Sequence, residues 1–207
     1  MSVRKVTLAE IYQIAKDSYD KLWEIAKEHD RDVKIYLHWT AGYYDQFFYN
    51  EDTGEMDYHI AIDGNGNIYT DCDDFSEVRD HTWRRNSGSV AITLNAAVGA
   101  NTSDLGECPP TNFQIETMSQ VIAVLADALD LTIDIQRVLT HGEAADNKDG
   151  YYGAYGPEDE YGPDSDACER WDIWLYHEDG ELKDGGDIFR GKANWYRDDW
   201  KKNGAPY

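Results

Sequence analysis

Apolar residues recur at helical spacing near the start of the chain. Leu8, Ile11, Ala15, Leu22, Ile25 and Ala26 form the stripe, widened by Tyr12, Tyr19 and Trp23. Thr7 with Glu10 three residues later is a capping-box pair, so the pattern predicts a helix from Thr7 to about His29. Residues 33–39, VKIYLHW, alternate instead. Ile35, Leu37 and Trp39 face one way and Lys34, Tyr36 and His38 the other, which predicts a strand. DYHIAIDGNGNIYTDC, from Asp57, reads as a hairpin turned at Gly64-Asn65-Gly66. Residues 89–98, SVAITLNAAV, read as another strand. Thr111 with Gln114 caps a second amphipathic helix, carried by Ile115, Met118, Ile122, Leu125 and Leu129. Residues 136–141, QRVLTH, form a short strand ending in a histidine. Residues 144–169 are loop-like, RWDIWLY follows, and FRGKANWYRDDWKK predicts a terminal helix. Strands alternating with long helices, with hairpins among them, indicate an α/β fold with a central mixed β-sheet flanked by helices.

Composition narrows the function classes. The 207 residues show no internal repeat and no low-complexity linker, and are read as one domain, 1–207. The net charge of −22 repels DNA, RNA and anionic membrane surfaces, so neither nucleic acid nor membrane is expected as a partner. No stretch approaches the roughly 18 apolar residues a membrane span needs. The charged N-terminal stretch lacks an apolar signal core, and synthesis in the cytoplasm is expected. The three cysteines, Cys72, Cys108 and Cys168, are irregularly spaced and suggest reduced thiols, with one available as a ligand.

The chemistry begins with two histidines at matching strand ends, His38 and His141, about a hundred residues apart. Imidazole is the commonest protein ligand for zinc, and ligands at strand ends can converge at one sheet edge. A catalytic zinc site takes a third protein ligand, for which Cys168 and Asp172 are the late candidates. The D-G-N-G-N of residues 63–67 invites a calcium reading, but an EF-hand loop places Gly at its sixth position, where Ile68 stands here.

Five stretches in order carry a resemblance: YLHWTAG (36–42), DYHIAIDGNGNIY (57–69), HTWRRNSGSVAITL (81–94), VLTHGEAA (138–145) and YGPDSDACERWDIW (161–174). Together they resemble the zinc-dependent N-acetylmuramoyl-L-alanine amidases, the superfamily of small phage lysins and peptidoglycan recognition proteins. The resemblance spans roughly residues 33–175, with 176–207 as a C-terminal extension. It implies Zn2+ bound by His38 and His141, with Asp172 favoured over Cys168 as third ligand because Arg170 then stands two residues earlier, in the family's basic position. It implies Tyr58 and Arg170 as catalytic residues, and bacterial peptidoglycan as substrate. Tyr58 and His59 point to opposite faces if both lie on a strand, so only one can face the metal.

The family's alternative glutamate falls at Thr93, which cannot act as a base, while Glu143 is a spare carboxylate. Arg84 or Arg85 could meet stem-peptide carboxylates. Tyr43, Tyr44, Phe47, Phe48 and the run from Tyr151 could stack on sugars. The resemblance thus implies cleavage of the amide between N-acetylmuramic acid and L-alanine, by a lysin released to the cell wall or an enzyme recycling wall fragments. The competing readings are a peptidoglycan receptor without catalysis and an acidic interaction protein with structural histidines.

Overall fold

The computed structural model describes residues 2–151 and 172–207. Its elements run β1 (Arg4–Val6), α1 (Leu8–Glu28), β2 (Lys34–Trp39), β3 (Ile60–Ile62), β4 (Ile68–Thr70), β5 (Ser89–Leu94), α2 (Asn112–Ala128), β6 (Val138–Thr140), α3 (His141–Ala145), β7 (Trp174–Tyr176), β8 (Leu182–Asp184) and α4 (Gly186–Asn203). Six strands make one mixed sheet in the order β1-β4-β3-β5-β2-β6. β2 lies between β5 and β6 and runs parallel to both, while β3 and β4 form the expected antiparallel hairpin. β7 and β8 make a separate two-stranded sheet.

Both expected capping boxes form, at Thr7/Glu10 and Thr111/Gln114. Each satisfies orphan amide groups at its helix start. α2 packs against both α1 and α4. The alternation of β2 holds: Ile35, Leu37 and Trp39 join the main core with Ile11, Leu22, Ile122 and Phe189. The opposite side is not solvated. All six residues of β2 are buried, and Tyr36 packs with Leu139 and Ala144 in a second small cluster. The polar side of this strand is therefore an interior surface, and that is where the chemistry collects.

Some boundaries shift. The strand expected over 89–98 ends at Leu94, and Ala97 takes a left-handed φ of 74°. The strand expected over 136–141 stops at Thr140, whose side chain caps α3, so His141 opens a helix. Tyr58 and His59 precede β3 instead of lying in it. The calcium reading of residues 63–67 is not supported. Asp63 accepts from the amides of Asn65 and Asn67, from the Asn67 side chain and from the Tyr69 hydroxyl, which occupies its oxygens within the turn. Among the described residues no helix is long and apolar enough to cross a membrane.

Candidate metal centre

Sheet register brings the two histidines to one level. Leu37 pairs with Thr140 on adjacent parallel strands, so His38 and His141, the first residue of α3, each follow a paired residue. Their ring centres are 4.7 Å apart. Asp172 approaches from the other end of the chain and places Oδ2 3.3 Å from His38 Nδ1 and 3.5 Å from His141 Nδ1. One ligand atom from each of the three residues lies within 4.8 Å of the other two. The His38 side chain is fully buried, whereas His141 and Asp172 keep 13% and 18% of theirs exposed, so the cluster is reached from their side.

A hydrogen-bond chain that sequence reading missed fixes the protonation of His38. The Ser89 hydroxyl donates to the carbonyls of Arg85 and Asn86, both at 2.8 Å. Its oxygen then accepts from His81 Nε2 at 3.4 Å, which leaves His81 Nδ1 to accept from the Thr82 hydroxyl at 2.9 Å. The Thr82 oxygen in turn accepts from His38 Nε2 at 3.4 Å. With one proton on a neutral imidazole, His38 Nδ1 presents a bare lone pair to the Asp172 carboxylate. Burial keeps His38 neutral, pushing it down to about 4 despite the carboxylate beside it. Burial alone would push Asp172 up, but His141, by its charge and its hydrogen bond, holds it well below the usual carboxylate range. Two acceptors thus face each other across 3.3 Å. A cation between them resolves that repulsion, and two imidazoles with a carboxylate are a zinc donor set. The residues present fit the metal.

Other expected residues fall as follows. Tyr58 is half-buried with its ring 5.1 Å from that of His38. His59 is not a ligand candidate. Its Nε2 donates to the Glu77 carbonyl at 2.8 Å and its Nδ1 accepts the Ala91 amide at 3.1 Å, so both nitrogens are used. Burial pushes it down to about 4. Thr93 lies beside His38 in register and is buried. Arg170 and Cys168 lie outside the described residues. Arg85 is 1% exposed and bonds Asn147 and the Tyr151 carbonyl, so it does not reach out toward a substrate, whereas Arg84 is exposed.

Glu143 is neither a solvated loop residue nor a base. It closes the capping box of α3 on Thr140 and takes a two-pronged contact from Arg190 of α4, both arms 2.7 Å. A Cβ at Gly186 would come within 2.5 Å of its carboxylate, so glycine makes room for the pair. Asp184 accepts the Thr140 hydroxyl at 2.6 Å and is pushed up to about 7, by burial first and then by the Glu143 charge. This cluster braces the turn from which His141 projects.

The family model described as N-acetylmuramoyl-L-alanine amidase matches residues 29–151. The solved structures similar to this chain include the endolysin N-acetylmuramoyl-L-alanine amidase LysCS from Clostridium intestinale URNW, at 18% identity and a TM-score of 0.39, covering 54% of this chain and 68% of that one. The amidase LysC from the same organism is similar at 18% identity and a TM-score of 0.37, covering 54% of this chain and 70% of that one. No curated protein matches. The family match spans well over half of the 207 residues and contains both histidines of the centre; the chain belongs to the N-acetylmuramoyl-L-alanine amidases, enzymes whose substrate is peptidoglycan.

Proposed function

We propose that this amidase is zinc-dependent, that His38, His141 and Asp172 hold the metal, and that it cuts the amide between N-acetylmuramic acid and L-alanine as a lysin of the phage type. The observation that carries the reading is the convergence of His38, His141 and Asp172, with one ligand atom of each within 4.8 Å of the others. Bound there, zinc would act as a Lewis acid toward an amide carbonyl and would acidify a water.

The chain's own residues do the rest. The exposed side of His141 and Asp172 admits the substrate. Tyr58, whose ring centre lies 5.1 Å from that of His38, is assigned the role of donating its hydroxyl to the carbonyl oxygen as negative charge grows there. One such donor contributes about 3 kcal/mol. Arg170 is assigned the same electrostatic role, since a guanidinium does not release its proton. We read residues 1–207 as one domain, in which the core of about 33–175 carries the reaction and 176–207 braces it through α4.

The test is digestion of purified peptidoglycan with metal content measured on the same sample. Near-stoichiometric zinc is expected, with free amino groups released, halted by a chelator and restored by zinc. Metal-loaded protein that binds the wall without releasing amino groups would instead establish a receptor.

The chain from Thr82 to Ser89 makes a separate prediction. Thr82→Val keeps the shape and removes the hydroxyl that fixes the His38 tautomer. Zinc affinity, read by competition with a chelating dye, should fall about 10- to 100-fold, while Thr82→Ser retains it. Equal affinities in the two variants would remove Thr82 from the centre.

A further inference from the structure

The inward row of β2 runs from Lys34 through Tyr36 to His38, and its two ends differ. At the Lys34 end three cations gather. Lys34 Nζ lies 3.0 Å from Asp149 Oδ2 and Arg85 Nη2 lies 3.8 Å from Asp149 Oδ1. Arg31 joins them by donating from Nη2 to the carbonyls of Arg85, at 3.1 Å, and Ser87. The guanidinium carbons of Arg31 and Arg85 sit 5.5 and 5.2 Å from the centre of the Tyr151 ring. Asp149 is the carboxylate that both Lys34 and Arg85 face. Among the described residues this group is richer in cations than in carboxylates. Arg85 is only 1% exposed.

The hydrogen-bond account has the same deficit. Among the described residues, Arg31 Nε and Nη1, Arg85 Nε and the Tyr36 hydroxyl are buried without a hydrogen-bond partner, and each can donate; Asp149 Oδ2, beside Lys34, likewise makes no hydrogen bond. The Tyr36 side chain is fully buried, and burial pushes its phenol up, so it keeps its proton. Buried unpaired donors are rare and point to a bound water or ion. Arg31 and Tyr151 also line an adjacent pocket of about 380 Å³, together with His29, Arg84, Asn86 and Ser87. Among the described residues no acidic side chain lines it. In a chain of net charge −22 this is a local reversal of sign.

We propose that this pocket and the donors beside it form an oxyanion site, separate from the metal centre, that takes a carboxylate or phosphate group. Arg31 and Arg84 receive the anion at the pocket wall, and Arg31, Arg85 and Tyr36 supply the charge and protons that now lack acceptors. Arg85 also holds Asn147 and the Tyr151 carbonyl. Tyr36 touches His81, with ring centres 5.8 Å apart. An occupied site therefore tightens the segment that covers the inward face of the sheet. The proposal does not depend on the zinc reading.

The test is thermal unfolding of the full chain in inorganic phosphate and in acetate, each compared with chloride at matched ionic strength. A saturable rise of the melting temperature above the chloride control is expected, because a ligand that binds the folded state stabilises it by mass action. A rise in phosphate alone identifies a tetrahedral anion, and a rise in acetate alone a carboxylate. Arg31→Met should raise the half-saturating concentration at least tenfold and Tyr36→Phe several-fold. Arg84→Gln, at an exposed position, should weaken the response and remains readable should Arg31→Met not fold. No rise beyond chloride, or an undiminished response in Arg31→Met and Arg84→Gln, overturns the site.

Discussion

Asp172→Ala should strip the protein of zinc and of activity together. The substitution removes the carboxylate that both Nδ1 atoms face and leaves two imidazoles to hold a dication. Loss of a direct ligand should exceed the 10- to 100-fold drop in affinity typical of residues that only orient one. A Lewis acid contributes several kcal/mol to such a reaction, and each 1.4 kcal/mol is tenfold, so wall digestion should fall about a thousandfold or more. The fold should survive, because Asp172 lies at the open side of the cluster. Metal analysis and wall digestion on the same preparations check this, with Cys168→Ala alongside. Metal lost from the Cys168 variant and kept in the Asp172 variant would reassign the third ligand.

The second large effect concerns stability. Arg190→Met should destabilise the chain by about 3–5 kcal/mol, because it leaves the buried Glu143 carboxylate without its counter-charge. Asp184, already pushed up to about 7 partly by that same carboxylate, would be repelled further. The bond from Arg190 Nη1 to the Val138 carbonyl is lost as well. For a chain of this size the melting temperature should fall by roughly 10 °C. Adding Glu143→Gln should recover part of the loss, since it removes the stranded charge, and denaturant unfolding of the two variants reads this coupling. A loss under about 1 kcal/mol would mean that the pair is effectively solvated.

The features legible in the sequence are those whose partners are close along the chain. The boxes at Thr7/Glu10 and Thr111/Gln114 each join residues three apart, and the β3–β4 hairpin announces itself in its turn. The box at Thr140/Glu143 has the same spacing, but the strand pattern ran through it and hid the helix start. β1 and β8 have three residues each, too few for a period to show. The two histidines of the candidate centre were legible as matching strand ends, but the choice of Asp172 over Cys168 came only through resemblance, since no local pattern makes residues 38, 141 and 172 neighbours. Nothing in the alternation of β2 tells that its polar side is interior, because the cover comes from residues around His81 and Arg85. The adjacent pair His81-Thr82 was the available signal for the relay, since its two side chains bond each other.

The pairing of Arg190 with Glu143 bears on any attempt to trim this protein to a minimal catalyst. A fragment cut to the recognisable stretch would end at Tyr151 and keep both imidazoles. It would lack Asp172, the acid beside them, and the Arg190 guanidinium that steadies the turn beneath one of them. If the proposed centre holds, the smallest working unit therefore reaches into the last helix, beyond the residues that the family model matches.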